Sequence, residues 1–317
     1  MWANVLRTLP APAKARAYFA AQSVGCALWW VAVFASDDVQ RWTLGTWNPR
    51  LLVAPDLVLF AGASALAAAF GSRVWAVVVS AWTTPVTIAL TAYALVEREA
   101  GWGAVLMVLA TVGTLAATLT LWSGRLPVQW FFLGPFTFRV TRDRSRGGHL
   151  RHSLMQLVFF WGTFLILLPL VLSSVERRLR LEWSPLQRSG FAWAGPIVFV
   201  VASAFGLWSC VSMALVGEGT PLPAATARNL VVVGPYRFVR NPMAVAGALQ
   251  TVGVGLWRGS WIVIVSSITG ALIWNTFIRP EEEADLAARF GDDYDAYRAV
   301  VRCWIPIRHR AAVISRQ

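Results

Sequence analysis

The sequence predicts an all-α membrane protein, a polytopic transmembrane bundle of about eight helices, and three observations lead to that prediction. Hydrophobic residues make up 57% of the 317 positions and charged residues only 14%, whereas ordinary soluble domains are roughly 45–50% apolar. The mean hydropathy of the chain is +0.56. The apolar residues also gather in runs of roughly 20, the length that crosses a hydrocarbon core of about 30 Å.

Eight apolar runs account for the expected spans. In chain order they cover residues 18–35, 52–70, 74–95, 103–123, 153–172, 192–215, 243–257 and 260–278, and the seventh is short. Basic residues precede the first run, but it lacks a small-residue cleavage site and further spans follow it. We therefore expect a retained anchor and not a removed signal peptide.

Basic residues predict the orientation of these spans. If both termini lie on one side, the tails and loops of that side hold 20 of the 28 Lys and Arg residues, and the opposite side holds 8. Because positive loops stay in the cytoplasm, both termini are expected to be cytoplasmic. Only Lys14 is a lysine, a bias typical of GC-rich genomes, which favours a bacterial inner membrane. The net charge of +12 is spread over many loops, so membrane lipids and not nucleic acid are the expected partner.

The first four runs form an N-terminal region, residues 1–125, in which nothing indicates chemistry. Its small-residue stretch 62–69 favours close helix packing. Asp56 is the one acid inside a span, and such acids are functional candidates by default. Its place after Pro55, near the start of its span, leaves a helix N-cap as the alternative.

The next region, residues 126–152, mixes aromatic residues with arginines. Aromatic rings settle at headgroup depth and guanidinium groups bind phosphate, so we expect a cytoplasmic, interfacial loop in contact with lipid. His149 and His152 lie in this loop without a nearby thiol or carboxylate. The cysteines Cys26, Cys210 and Cys303 stand alone, so no metal site and no disulfide are expected.

Candidate chemistry concentrates near the end of the last region, residues 153–317. The stretch GPYRFVRNPM, residues 234–243, precedes the seventh run. Pro242 suits the first turn of that helix, and Asn241 is a plausible N-cap. Arg237 and Arg240 are three residues apart, so on a helix they would share one face and could bind a single carboxylate or phosphate. The alternative is that both only anchor the helix end at the membrane surface.

An acidic segment, residues 280–297, follows the eighth run. The seventh and eighth helices are expected to form a hairpin, which returns these acids to the end of the bundle where the two arginines lie. An apolar stripe predicts an amphipathic helix that lies on the membrane and covers the polar cluster. Its members are Leu286, Phe290, Tyr294, Tyr297 and Val301, and Gly291 interrupts the pattern.

Together these segments resemble a known family. The motif GPYRFVRNPM, the pattern EExxL from Glu282 to Leu286, FGxxYxxY from Phe290 to Tyr297 and VxRxxxP ending at Pro306 occur in this order. They are similar to the isoprenylcysteine carboxyl methyltransferase and phospholipid methyltransferase superfamily of integral membrane enzymes. The resemblance covers residues 217–306, and the residues before it add only helices.

The resemblance implies an enzyme that binds S-adenosyl-L-methionine at the cytoplasmic membrane face and methylates a lipophilic acceptor from the bilayer. Glu282 and Glu283 would bind the ribose or the amine, and Arg240 the cofactor carboxylate or the acceptor. Tyrosine rings would stack on adenine or lie beside the sulfonium. The implied cofactor-binding residues are Gly234, Tyr236, Arg237, Arg240, Asn241, Pro242, Glu282, Glu283, Tyr294 and Tyr297, and the implied catalytic residues are Arg240 and Asn241.

Two positions depart from the family pattern R-H-P-x-Y, since Asn241 replaces histidine and Ala244 replaces tyrosine. Asparagine cannot take up a proton near neutral pH, which argues against a general base there. Two other functions stay open, a membrane reductase of the sterol type with a nicotinamide cofactor and a non-catalytic transporter or scaffold. The acceptor also stays open, among a small isoprenoid, a phospholipid amine and a lipophilic thiol.

Overall fold

The computed structural model describes residues 10–125, 146–187, 189–218 and 227–306, and all regular structure in these ranges is helical. This confirms the predicted all-α class. Most of the predicted interfacial loop 126–152 lies outside the described residues, and so do the side chains of His149 and His152. From Arg146 onward the chain is already helix, before the predicted start of the fifth span.

Seven helices in the described part of the chain are long and apolar enough to cross a membrane. We label the first six α1 to α6. They are Ala11–Ala35, Pro49–Phe70, Arg73–Glu97, Gly101–Ser123, Leu154–Arg178 and Gly190–Leu215. The seventh predicted run forms α7, Pro242–Arg258, whose 17 residues span only about 25 Å and so fall short of the core.

The last of the seven candidates extends from Trp261 to Val300, 40 residues in all. At 1.5 Å per residue it is roughly twice as long as the hydrocarbon core is thick. Its apolar part, residues 261–278, is therefore the span, and we call it α8. The charged part, Arg279–Val300, is α9.

The chain divides into two compact units. The N-terminal unit comprises residues 1–130 and 176–181, and the C-terminal unit comprises residues 131–175 and 182–317. In the N-terminal unit, α1 to α4 pack through small residues such as Ala63 and Ala67 of α2, which are fully buried. Such residues let membrane helices approach closely.

Asp56 in the N-terminal unit is not a helix cap, so that interpretation is wrong. Helix α2 begins at Pro49, and its cap is Asn48, whose side chain accepts from the Arg50 N–H. Asp56 lies a full two turns inside the helix and is buried. The cap was the wrong interpretation because Pro55 does not end the helix; the chain stays helical through it and continues into a π-helical turn at Leu57–Gly62.

In the C-terminal unit, α6 and α7 touch backbone to backbone at two glycines. A Cβ on Gly253 would lie 2.8 Å from the Gly195 carbonyl oxygen, so no larger residue fits. Deeper in the interface the buried Gln250 amide donates to the Ser203 hydroxyl at 2.9 Å. Helix α7 then turns back into α8 through Gly259, at φ 62°. This hairpin brings the start of α7 and the end of α8 to the same end of the unit, as predicted.

Helix α9 is not the continuous amphipathic helix that the sequence predicts. Gly291 adopts φ 53° and ψ −129°, so the helix bends there into two segments. The apolar stripe does form one cluster, in which Tyr294, Tyr297 and Val301 are buried. The cluster packs on Leu230 and Val232 of the same unit. The stripe is therefore used for packing within the protein.

Candidate functional site

The site begins with the turn that precedes α7. Residues Gly234–Arg237 form one turn of 3-10 helix, and Gly234 starts it at φ 59°. A Cβ on Gly234 would lie 2.5 Å from the Ser212 hydroxyl oxygen of α6. Glycine is thus required here for both its backbone conformation and its close contact with α6, and this contact fixes where the rest of the motif lies.

Asn241 caps α7, as predicted. Its side-chain oxygen accepts a hydrogen bond from the Ala244 N–H at 3.2 Å, and Pro242 follows in the first turn. The cap uses the oxygen of the Asn241 amide. The polar side chain that replaces the family's histidine is thereby committed to starting the helix.

Arg240 joins the motif to the C-terminal end of α9. Its backbone N–H donates to the Arg302 carbonyl at 2.9 Å. One terminal guanidinium nitrogen donates to the carbonyls of Arg298, at 3.0 Å, and Val301, at 2.6 Å, and the other donates to Glu283 at 2.7 Å. The side chain is only 10% exposed. Its Nε is buried and has no partner among the described residues.

Arg237 has different surroundings, so the two arginines do not share a face. Arg237 ends the 3-10 turn and is exposed, as is Phe238 beside it. The hypothesis that both guanidinium groups bind one anion assumed a helical hexapeptide. The helix stops after one turn, so Arg237 points to the surroundings of the protein while Arg240 points inward.

Glu283 is the paired acid of the cluster. It accepts from Arg240 and also from Arg279, at 2.8 Å, one helical turn earlier. Burial alone would raise the pKa of Glu283, but the hydrogen bonds and charges of these two arginines hold it below its ordinary value. The Glu283 carboxylate is therefore ionised and held inside the protein.

Glu282, its neighbour, is the acid without a partner. It is partly buried, and in the described part of the chain it forms no hydrogen bond and no ion pair. Burial, together with the negative charges of Glu283 and Asp285, raises the pKa of Glu282 to about 7. Two adjacent glutamates thus have opposite pKa shifts, because one faces two cations and the other faces none.

The tyrosines of the motifs are buried. The Tyr297 hydroxyl donates to the Tyr236 carbonyl at 2.6 Å, which ties α9 to the 3-10 turn. Tyr294 is 1% exposed, and burial, followed by the charge of Glu283, raises its pKa to about 12. These rings hold the site together, and little of Tyr294 or Tyr297 is open to a ligand.

Two residues of the cluster were missed by the sequence reasoning. Asn275 lies in the π-helical turn Trp274–Ile278 at the end of α8. Its side-chain oxygen accepts from Arg279 at 2.8 Å and from the Trp304 indole N–H at 2.9 Å. The i, i+4 spacing of Arg279 and Glu283 was a usable signal. The role of Asn275 was hidden, because it sits in an otherwise apolar run.

Comparison with known proteins bears on this region of the chain. Residues 191–293 match the family model described as phospholipid methyltransferase. The match contains the glycine-packed α6 and α7, the motif around Arg240 and both glutamates, and it confirms the resemblance found in the sequence. No curated protein and no solved structure matches the chain significantly. Residues 191–293 are thus similar to phospholipid methyltransferases, and the seven apolar helices in the described part of the chain indicate an integral membrane protein.

Proposed function

We propose that this protein uses S-adenosyl-L-methionine to methylate a lipophilic acceptor at the cytoplasmic face of a membrane. The observation that carries the proposal is Glu282, a partly buried carboxylate without a partner in the described residues, next to Glu283, which is paired with two arginines. The Glu282 carboxylate keeps its capacity to accept hydrogen bonds, so a ligand that supplies donors can bind it.

The unused polar groups of the cluster fit this cofactor. Its ammonium group and ribose hydroxyls donate hydrogen bonds, which the Glu282 carboxylate can accept, and its carboxylate can accept from the buried, unpaired Nε of Arg240. When bound, the cofactor supplies a methyl group on a positively charged sulfur. The paired groups, Glu283 and the Tyr297 hydroxyl, would hold the walls of the site.

The chain's own residues favour catalysis by positioning. Arg240 fixes the C-terminal end of α9 against the motif, and Asn241 fixes the start of α7. The capping bond of Asn241 supports a structural role and argues against proton transfer at this position. Holding two reactants in the right geometry lowers the barrier of a reaction by several kcal/mol. An acceptor that arrives deprotonated has no proton to lose, so it needs no base here.

The distribution of basic residues supports the side of the membrane on which the site lies, and the membrane setting supports a lipophilic acceptor. Arg237, Arg279 and the other basic residues at this end of the chain support a cytoplasmic site, in a bacterial inner membrane. The acceptor would reach it from the bilayer, as an isoprenoid, a phospholipid amine or a lipophilic thiol.

Calorimetric binding to the detergent-purified protein tests the proposal. We expect S-adenosylmethionine and S-adenosylhomocysteine to bind with micromolar affinity, and Glu282→Gln to weaken both by roughly tenfold or more. Glu281→Gln is the matched control, because Glu281 is the preceding acid of the same helix and is exposed. If neither nucleoside binds to the folded protein but a nicotinamide nucleotide does, the reductase function replaces this one.

A further inference from the structure

One end of the N-terminal unit carries only positive charge in the described part of the chain. It is the end at which α1 and α3 begin and α2 and α4 finish. Residues 1–36, 57–96 and 100–142 contain no Asp or Glu, and they include every described residue of this end. The acids of the unit lie toward the opposite end. The basic residues of this end are Lys14, Arg16, Arg73 and Arg125.

Arg16 is held in a fixed position by the end of α2. Its Nε donates to the Ala68 carbonyl and its Nη2 to the Ala69 carbonyl, both at 2.7 Å. A helix end carries only about half of one negative elementary charge, so it does not neutralise the guanidinium group. The Nη1 of Arg16 donates to no group among the described residues, and the side chain is exposed. A guanidinium group that is already oriented loses little freedom when it binds an anion.

The same arginine lines a groove on the outer surface of α1 and α2. The volume of the groove is about 360 Å³, within the range of roughly 300–1,000 Å³ that is typical of ligand pockets. Its other lining residues are the alanines Ala13, Ala17, Ala20 and Ala68. Ala20 lies one helical turn deeper in the span than Arg16. The groove therefore leads from the guanidinium group along the apolar surface of a membrane helix.

Arg73 shows that positive charge alone does not make this groove. Its Nε donates to the Leu121 carbonyl at 3.2 Å, and its guanidinium carbon lies 5.4 Å from the centre of the exposed Trp122 ring. Arg73 thus binds the end of α4 much as Arg16 binds the end of α2, but it does not line the groove. Its charge adds to the positive potential at this end of the unit.

We propose that the groove binds one anionic phospholipid of the surrounding membrane, with the headgroup phosphate on Arg16 and an acyl chain along the alanines. A zwitterionic lipid would bring an ammonium group to an end that already carries only positive charge, whereas a lipid of net negative charge would not. Free phosphate could bind the arginine but would leave the apolar groove unfilled. This site goes beyond the proposed function and does not depend on it.

Calorimetric titration of the detergent-purified protein with dioctanoyl phosphatidylglycerol tests the inference. Dioctanoyl phosphatidylcholine is the zwitterionic counterpart of equal chain length, and inorganic phosphate is the ligand without a chain. We expect the anionic lipid to bind at least about tenfold more tightly than either of the other two. Equal affinity for the two lipids, or inorganic phosphate that binds as tightly as the anionic lipid, would overturn the inference.

Two pairs of variants place the lipid in the groove. Ala20→Leu fills the groove and keeps the bonds of Arg16, so it should weaken the anionic lipid roughly tenfold. Its control is Ala21→Leu, at an exposed position of α1 outside the groove. Arg16→Gln should weaken the lipid as well, and its control is Arg125→Gln, which removes an exposed arginine of the same end. Both controls should stay within about twofold of wild type.

Thermal unfolding of each variant shows whether it is folded. Arg16→Gln removes two bonds to α2 and could lower stability, whereas Ala20→Leu removes none. An affinity for the anionic lipid that is unchanged in folded Ala20→Leu would therefore overturn the inference, whatever the result for Arg16→Gln. Equal losses in Ala20→Leu and Ala21→Leu would also overturn it, because the lipid would then cover the surface of α1 without using the groove.

Discussion

Asp56 in the N-terminal unit is buried and Glu282 in the C-terminal unit is partly buried, and the surroundings of the two acids differ. Asp56 accepts from the indole N–H groups of Trp30, at 2.8 Å, and Trp82, at 2.9 Å, and from the Cys26 thiol at 3.4 Å. Every donor is neutral and every donor is on a neighbouring helix. Glu282 has no donor in the described residues. The burial of an acid alone therefore does not indicate a ligand site. A carboxylate that accepts no hydrogen bond from the protein is the better indication.

The same contrast holds for the other polar groups of the two units. In the N-terminal unit, Thr114 donates to Gln22, which donates to Ser64, and Thr87 pairs with Thr111. These bonds link helices, which is the usual task of small polar side chains in a membrane. In the C-terminal unit the polar groups of the cluster around Arg240 are charged, and the Arg240 Nε and the Glu282 carboxylate have no partner in the described residues. Two buried polar atoms of the N-terminal unit, Trp29 Nε1 and Thr91 Oγ1, also have none. The bonds between its helices nevertheless join neutral side chains, which is the character of a scaffold.

The largest effect is expected from Arg240. In Arg240→Ala, Glu283 keeps only one cation, and the backbone carbonyls of Arg298 and Val301 lose the donor that they share. We expect the free energy of unfolding to fall by about 3–5 kcal/mol and the cofactor to bind no longer, as measured by chemical unfolding and by calorimetry. Arg237→Ala, which removes an exposed arginine of the same motif, should change stability by less than about 0.5 kcal/mol. Equal effects of the two changes would contradict the distinction between them.

Asp56 should be important for folding and unimportant for binding. In Asp56→Ala, the Trp30 and Trp82 indoles lose their acceptor inside the membrane, and we expect a loss of about 2–4 kcal/mol in thermal or denaturant unfolding. The affinity for S-adenosylmethionine of the remaining folded protein should stay within about twofold. Asp38→Ala is the control, since Asp38 forms only an exposed pair with Arg41. A specific loss of cofactor binding in Asp56→Ala would give the N-terminal unit a functional role.

Sequence and structure agree where a single local rule decides. The apolar runs, the Asn241 cap and the hairpin of α7 and α8 follow from composition, helix-start chemistry and chain length, and they were predictable. The different roles of Glu282 and Glu283 were predictable only in part. The i, i+4 spacing indicates that Glu283 pairs with Arg279. The second cation, Arg240, is 43 residues away in the sequence, and only the fold brings it to Glu283.

The same limit explains the predictions that were wrong. The sequence suggested a cap for Asp56 because Pro55 precedes it, but Pro55 does not interrupt α2. The shared face of Arg237 and Arg240 assumed a helix that ends after one 3-10 turn. In each case a local pattern was overruled by contacts with helices that are distant in the sequence.

Glu282 should lower stability while it supports binding. Its pKa in the folded protein is about 7, above the ordinary value of a glutamate, so the folded protein favours the protonated acid. The contribution of Glu282 to stability is therefore greatest below the ordinary pKa of 4.5 and is lost as the pH rises from there through 7. Glu282→Gln should remove this pH dependence and raise the free energy of unfolding at pH 8 by roughly 1–3 kcal/mol. The same change should weaken the binding of the cofactor.

Unfolding of wild type and Glu282→Gln at pH 5.5 and pH 8 is the measurement. The stability of Glu282→Gln minus that of wild type should be clearly larger at pH 8 than at pH 5.5, with Glu281→Gln following wild type at both. A wild-type protein that is more stable than Glu282→Gln at pH 8 would mean that Glu282 already has a partner inside the protein.

The smallest effects on stability are expected from substitutions of one glycine in each unit. Gly71 ends α2 at φ 61°, and Gly291 bends α9 at φ 53°. A Cβ on Gly291 would meet nothing within 4 Å, and one on Gly71 would meet only the Arg16 side chain, at 3.5 Å. In both positions alanine changes mainly the backbone energy. Gly71→Ala, at φ 61° and ψ 27°, should cost about 1 kcal/mol. Gly291→Ala, at φ 53° and ψ −129°, should cost about 1–3 kcal/mol, because residues with a Cβ rarely adopt this conformation.

The affinity for S-adenosylmethionine should nevertheless differ between the two glycine variants. The bend at Gly291 lies between Glu283, which holds Arg240 from the first segment of α9, and the Arg298 and Val301 carbonyls, which hold it from the end of the second. Straightening the helix would pull these groups apart, so Gly291→Ala should weaken S-adenosylmethionine binding several-fold, whereas Gly71→Ala should leave it unchanged. Equal affinities in calorimetry would show that Arg240 tolerates a shift of the second segment, and the cluster would then depend on Glu283 more than on the carbonyls.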